Sequence, residues 1–244
     1  MIKTIKTMSK QEKERYTVPR KVQDVIPVRR IWPDGIFLVG NKFSKTYKFS
    51  DINYLVASRE DKESMFLTYS ELLNSLDSGA VTKITINNRR MNQANFETSI
   101  LMPMQGDFRD EYRGEYNQML LDKATGANGI MQEKYITISV VKKDIEEARA
   151  YFSRVGADLI SHFAALGSKC VELDATERLR ILHDFYRQGE ESEFVFNARE
   201  MMKRGHSFKD YICPDGIEKK SDYLKLGGKF CRVLFLKDYA SYKI

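Results

Sequence analysis

Strand-like and helix-like hydrophobic patterns take turns along almost the whole of this sequence, and that alternation decides which folds it can adopt. Val81-Thr82-Lys83-Ile84-Thr85-Ile86 and Tyr135-Ile136-Thr137-Ile138-Ser139-Val140-Val141 alternate apolar and polar residues and are rich in β-branched side chains. Period-two patterning of this kind predicts half-buried strands. Cys170-Val171-Glu172-Leu173 predicts a third, shorter one. From Arg59 to Leu76 the apolar residues Met65, Phe66, Tyr69, Leu72, Leu73 and Leu76 recur at steps of three and four before Asp77-Ser78-Gly79, which predicts an amphipathic helix and its stop. Asp107 to Thr125 predicts a second helix, with an acidic first turn that suits the helix dipole and a break at Gly126-Ala127-Asn128-Gly129. Asp144 can cap a third, with Ala148, Phe152, Val155, Leu159, Ile160 and Phe163 on its apolar side and Gly167 at its end. Asp174 and Glu177 have the spacing of a capping box ahead of Leu179, Leu182 and Phe185.

In front of these units, Gly35 before Ile36 to Val39, and Gly40-Asn41-Lys42 before Tyr47 to Phe49, predict a β-hairpin. Behind them, a short helix is expected near Phe194 to Lys203 and a closing strand over Arg232-Val233-Leu234-Phe235-Leu236. Taken in order, the elements predict an α+β fold: a mixed or antiparallel sheet with helices packed on one face, of the split-βαβ kind.

Hydrophobic residues make up 42% of the 244 and charged residues 30%, a balance that fits a folded chain and excludes a disordered or fibrous one. Cys170, Cys213 and Cys231 are widely spaced and form no CxxC pair, so neither a disulfide framework nor a structural zinc site is expected. No run of about 18 apolar residues predicts a membrane span, and the N-terminal stretch has no apolar core of a secretory signal. A reducing, cytoplasmic setting is expected.

Charge is distributed unevenly. Residues 1–30 hold nine basic residues against three acidic ones, whereas the remaining 214 carry 31 of each. The chain therefore divides into a basic arm over 1–30 and an α/β domain over 31–244. Such an arm is attracted to phosphates, whether of anionic lipid or of nucleic acid. Arg15, Arg20, Lys21, Arg29 and Arg30, with Trp32 at head-group depth, are the candidate membrane or phosphate contacts. The competing role for Trp32, the sole tryptophan, is to staple the chain to the core.

Chemistry-bearing motifs are scarce. A P-loop requires GxxxxGK[ST] so that backbone N–H groups wrap the phosphates while Lys and a hydroxyl hold the terminal phosphate and Mg²⁺. In Gly35-Ile36-Phe37-Leu38-Val39-Gly40-Asn41-Lys42, Asn41 stands where Lys must be; Gly227-Gly228-Lys229-Phe230 lacks the upstream Gly and the hydroxyl. His162, His183 and His206 have no metal-ligand spacing. Asp107, Glu111 and Glu115 share a helical face, but Arg109 and Arg113 interleave, which predicts a solvated face. An RNA-binding sheet of the split-βαβ type stacks bases on strand aromatics, and Val81–Ile86 and Cys170–Leu173 have none. No catalytic, metal or cofactor site is expected.

Several long blocks resemble the N-terminal region of conjugal-transfer ATPases of the CagE/TrbE/VirB family, in the branch carried by Gram-positive integrative conjugative elements. They are WPDGIFLVGNKFSKTYKFSDINYLVASREDKESMFLTYSELLNSLDSGAVTKITINNRR, YNQMLLDKATGAN, ARAYFSRVGADLISHFAALGSKCVELDATERLRILHDFYRQGEE, GHSFKDYICPD and CRVLFLKDYASY. The resemblance implies the N-terminal docking portion of a type IV secretion motor, peripheral on the inner face of the membrane. It also implies self-association within the ATPase oligomer and contact with inner-membrane channel components. ATP and Mg²⁺ would belong to a nucleotide-binding domain outside these residues, and no catalytic residue carries over. The alternative is a nucleic-acid-binding module of the same machinery that acts through the basic arm.

Overall fold

The computed structural model describes residues 19–90, 101–126, 130–191 and 193–236. Arg15 and most of the basic arm lie outside the described residues. The main sheet contains β1 (Val28–Ile31), β2 (Phe37–Val39), β3 (Lys42–Phe49), β4 (Val81–Arg90), β5 (Ile130–Val140) and β6 (Cys170–Glu172), and every pairing in it is antiparallel. β3 is the central strand. β5 runs along one side of it, while β2 and β6 share the other side end to end, β2 opposite residues 42–44 and β6 opposite residues 47–49.

The helices explain this order. α1 is the single turn Val22–Val25; α2 (Arg59–Asn74) connects β3 to β4, α3 (Asp110–Gly126) lies between β4 and β5, and α4 (Ile145–Ala165) connects β5 to β6. Because β5 sits between β3 and β4, and β3 sits between β5 and β6, each of α2 and α4 crosses over one intervening strand. That is the double split-βαβ arrangement of ferredoxin-like domains, extended at one edge by the β1–β2 hairpin and interrupted by α3. The expected α+β fold with an antiparallel sheet is what forms. Residues beyond β6 supply α5 (Ala175–Tyr186), α6 (Ala198–Met201), a 3-10 turn (Phe208–Tyr211) and a small sheet of β7 (Ile217–Lys219), β8 (Leu224–Leu226) and β9 (Lys229–Cys231).

Two cores result. On one face of the sheet, Phe43, Tyr47, Ile136, Ile138 and Val140 meet Ala148, Phe152, Val155, Leu159 and Phe163 of α4. Each fully buried large side chain there contributes about 1.5–3 kcal/mol. α4 begins at Asp144, whose carboxylate accepts from Glu147 N–H at 2.9 Å. Its buried face includes Tyr151, whereas Ile160 is exposed. Gly156 leaves room on α4 for Tyr47, whose hydroxyl donates to Phe152 O at 3.2 Å, and for Glu172, the ion-pair partner of buried Lys45.

The second core lies on the opposite face at the β1–β2 end, where Ala175 and Leu179 of α5 pack with Ile26, Val28, Phe37, Phe208, Ile212 and Cys213. Helical cover is therefore not confined to one face, because α5 reaches across from β6 to seal the hairpin. Its capping box forms as predicted, with Glu177 N–H donating to Asp174 and Asp174 N–H donating to Glu177.

The expected closing strand over Arg232–Leu236 does not form. Residues 232–236 are irregular, and Val233, Leu234, Phe235 and Leu236 are exposed. Strand structure falls instead on 217–231, where Gly227 (φ 54) makes the tight turn between β8 and β9. An apolar β-prone run forms a strand only where a sheet edge meets it, and this one meets none.

Candidate functional site

The residues nominated as membrane or phosphate contacts occupy different settings. Arg20 and Lys21 are exposed just ahead of α1, whose last carbonyls are held by Lys209 Nζ on Gln23 O and Ile26 O, both at 2.8 Å. Arg29 and Arg30 are exposed on β1 at a bulge, since Val28 faces Val39 while Arg30 already faces Leu38. A bulge gives an edge strand extra twist and turns charges outward. Trp32 is half-buried against the first core, its ring 5.7 Å from that of Phe43.

Larger surfaces were hidden from the pattern reading. Of the apolar stripe on α2, only Leu72 is buried, while Phe66, Leu67, Tyr69 and Leu73 face outward. β4 is a ten-residue edge strand that pairs, among the described residues, only with β5, and Ile84 and Ile86 are exposed beside that edge. α3 lies in the β4–β5 connection, and of its described side chains only that of Asn117 is buried. Its outer face carries Tyr112 at 68% exposure, Tyr116 and Met119, with Phe108 at 82% just ahead of its first turn and Met102 and Met104 alongside. Contiguous apolar surface of this kind marks an interaction site.

α3 is nonetheless built to hold its shape. Buried Asn117 clasps the backbone of Met102 in both directions, at 2.8 and 2.9 Å. Arg113 bonds both Asp107 and Asp110, each at 2.5 Å, and Asp110 also accepts from Gln105 N–H and Gly106 N–H. These bonds lower both carboxyls: that of Asp107 chiefly through Arg113, that of Asp110 chiefly through Gln105 N–H. A carboxyl lowered by folding lends stability above its unfolded value, and that stability disappears as pH falls through the folded value. Acidification below about pH 4 is thus expected to lower the hydrogen-exchange protection factors, taken against the intrinsic rate at each pH, over 101–113 while those of α4 are kept. Arg113→Ala should reproduce this at neutral pH.

On the face opposite α4, the sheet and α5 enclose a cleft of ≈ 530 Å³. Its floor is polar: Ser44 and Thr46 of β3, Thr137 and Ser139 of β5, and Lys83, Thr85 and Asn87 of β4. Thr46 and Thr137 are cross-strand partners whose hydroxyls lie 2.9 Å apart. The walls are apolar, with Ile181, Leu182 and Phe185 of α5 facing Val28 and Val39. Arg178 reaches in from α5, donates to Gly35 O and Ser44 O, each at 2.7 Å, and lies 4.0 Å over the Phe37 ring. Burial holds its guanidinium below the usual arginine range.

Next to the cleft lies a neutralised network. Buried Glu133 bonds Lys48 at 2.6 Å and accepts from the Tyr135 hydroxyl at 2.7 Å, and Arg180 stands 4.0 Å from Glu133 and 3.7 Å from buried Asp184. His183 is buried beside Asp184 with its ring against Phe194. Spaced 51 positions apart in the chain, Glu133 and Asp184 carried no local signal of their proximity.

Among the described residues no group of His, Cys, Asp and Glu is arranged to hold a metal ion, and no helix is long and apolar enough to cross a membrane. No protein-family model matches the chain, and no curated protein matches it either.

Proposed function

We propose that this chain is a non-catalytic docking and assembly domain, the part of a conjugative type IV secretion ATPase that joins the motor to the membrane components of its channel. The observation that carries the docking role is α3, a helix clamped at its start and presenting Tyr112, Tyr116 and Met119 outward, with Phe108 exposed just ahead of it. Ordering a helix that buries so little of its own apolar face is favourable only if something else covers that face. The exposed stripe of α2 and the edge of β4, unpaired among the described residues, extend the available surface, and an edge strand recruits a partner through main-chain hydrogen bonds. The choice of machine rests on the sequence blocks that resemble conjugal-transfer ATPases. In this reading Arg20, Lys21, Arg29 and Arg30 hold the domain against the anionic inner face of the membrane.

A photo-cross-linking residue at Tyr112 of the complete protein in its host tests the reading. Capture of a membrane channel component, lost on Phe108→Asp/Tyr116→Asp with the thermal midpoint unchanged, is the expected result. Capture of nucleic acid instead, with binding that weakens steeply as salt rises, would replace docking by the nucleic-acid alternative. Unchanged DNA transfer in the Phe108→Asp/Tyr116→Asp variant would overturn the proposal.

A further inference from the structure

The cleft between the sheet and α5 combines three cations with an apolar wall. Lys42, Lys83 and Arg178 line it, and among the described residues no carboxylate does. The carboxylates next to the cleft are already matched, Glu133 by Lys48 and Arg180 and Asp184 by Arg180. Neither Lys42 nor Lys83 has an ion pair among the described residues, and Arg178 bonds only carbonyl and hydroxyl oxygens. Two exposed lysines at the mouth and a buried guanidinium beside an apolar wall, with no carboxylate among them, focus a positive potential on whatever enters.

The remaining lining fixes the class of ligand. Thr46, Thr137 and Ser139 lie on β3 and β5 beside Ser44; Ser44 donates its hydroxyl to Phe37 O and Thr46 and Thr137 share one hydrogen bond, which leaves Ser139 and one of the two threonines to donate to an oxyanion. Ile181, Leu182, Phe185, Val28 and Val39 offer a hydrocarbon surface opposite them. The cavity falls in the range of about 300–1,000 Å³ usual for small-molecule sites. We infer that this cleft binds an amphipathic anion, a phosphate or carboxylate on an apolar body, with the head group at Lys42, Lys83 and Arg178 and the body along α5. This site is separate from the docking surface, since α3, α2 and the outward Ile84 and Ile86 of β4 are not part of its lining.

Isothermal titration calorimetry with decyl phosphate and with decanoate, both kept monomeric, tests the inference on the intact chain. Both probes are expected to bind, more weakly as salt rises, whereas inorganic phosphate and decanol each lose most of the affinity. The Lys42→Ala/Lys83→Ala variant should weaken decyl phosphate by about tenfold, two exposed charges each contributing a few-fold. Both lysines are exposed, so the thermal midpoint should not move. Ile181→Trp, which fills the apolar side, should also abolish binding. Preferential binding of decyl phosphate identifies a phosphate head group, and preferential binding of decanoate a carboxylate. Equal affinity for decanol, or affinity unchanged in the double-lysine variant, would overturn the inference.

Discussion

Replacing Gly35 by alanine is expected to destabilise the protein by about 3–5 kcal/mol, adding the cost of a left-handed backbone to that of overpacking. Gly35 closes the turn Trp32-Pro33-Asp34-Gly35, with its N–H on Trp32 O at 3.0 Å and φ at 77°. A Cβ at this position would stand 2.0 Å from Leu173 O, so turn and strand end would have to part. The backbone around this contact orders the start of α5, because Ala175 N–H donates to Pro33 O and Arg178 to Gly35 O. In a chain of this size each kcal/mol moves the thermal midpoint by roughly 2–4 °C. Gly40→Ala serves as the control: Gly40 also has positive φ, 61°, but nothing lies within 4 Å of its added Cβ, so only the left-handed backbone cost of about 1–2 kcal/mol applies. Equal losses in the two variants, measured by urea unfolding, would show that the close approach to Leu173 carries no energy.

Arg178→Ala is expected to cost about 3 kcal/mol, because two carbonyls lose a charged donor and the oxygens stay where they are. Gly35 and Ser44 are both buried, and the same guanidinium also donates to Ser44 Oγ at 3.2 Å and covers the Phe37 ring. One side chain thereby joins the turn, the central strand and α5. Lysine at this position keeps the charge but not the planar fork that spans two acceptors. Arg178→Lys should therefore recover less than half of the loss. Urea unfolding of both variants decides it, and an alanine variant within 1 kcal/mol of the parent would mean that water replaces the guanidinium at both carbonyls.

Local signals were legible wherever the cause was local. The capping residues Asp144 and Asp174, the Gly40-Asn41 turn and the strand character of 81–86 and 135–140 depend on neighbours within a few residues, and each forms. Periodicity also located the face of α4 that meets the sheet, apart from the exchange of Ile160 for Tyr151. The same reasoning overestimated the burial of α2. A stripe of Phe66, Tyr69 and Leu73 states that a helix has an apolar side, and says nothing about whether this chain supplies the cover. For the same reason Val233-Leu234-Phe235-Leu236 resembled a strand and forms none.

The cleft left no mark on the sequence. Lys42, Lys83 and Arg178 are separated by 41 and 95 positions, and the spacing of each within its own element is unremarkable. They converge because β3, β5 and β4 place alternate residues on one face and because α5 crosses to that face at the hairpin. The sequence by itself determined the elements, their caps and turns and the basic character of the N-terminal residues, since these follow from period, propensity and charge along the chain. Only the tertiary structure decided which apolar faces are covered and where unpaired cations gather. Those outcomes depend on strand order and on which face each crossover takes, and both are set by packing between residues far apart in the chain.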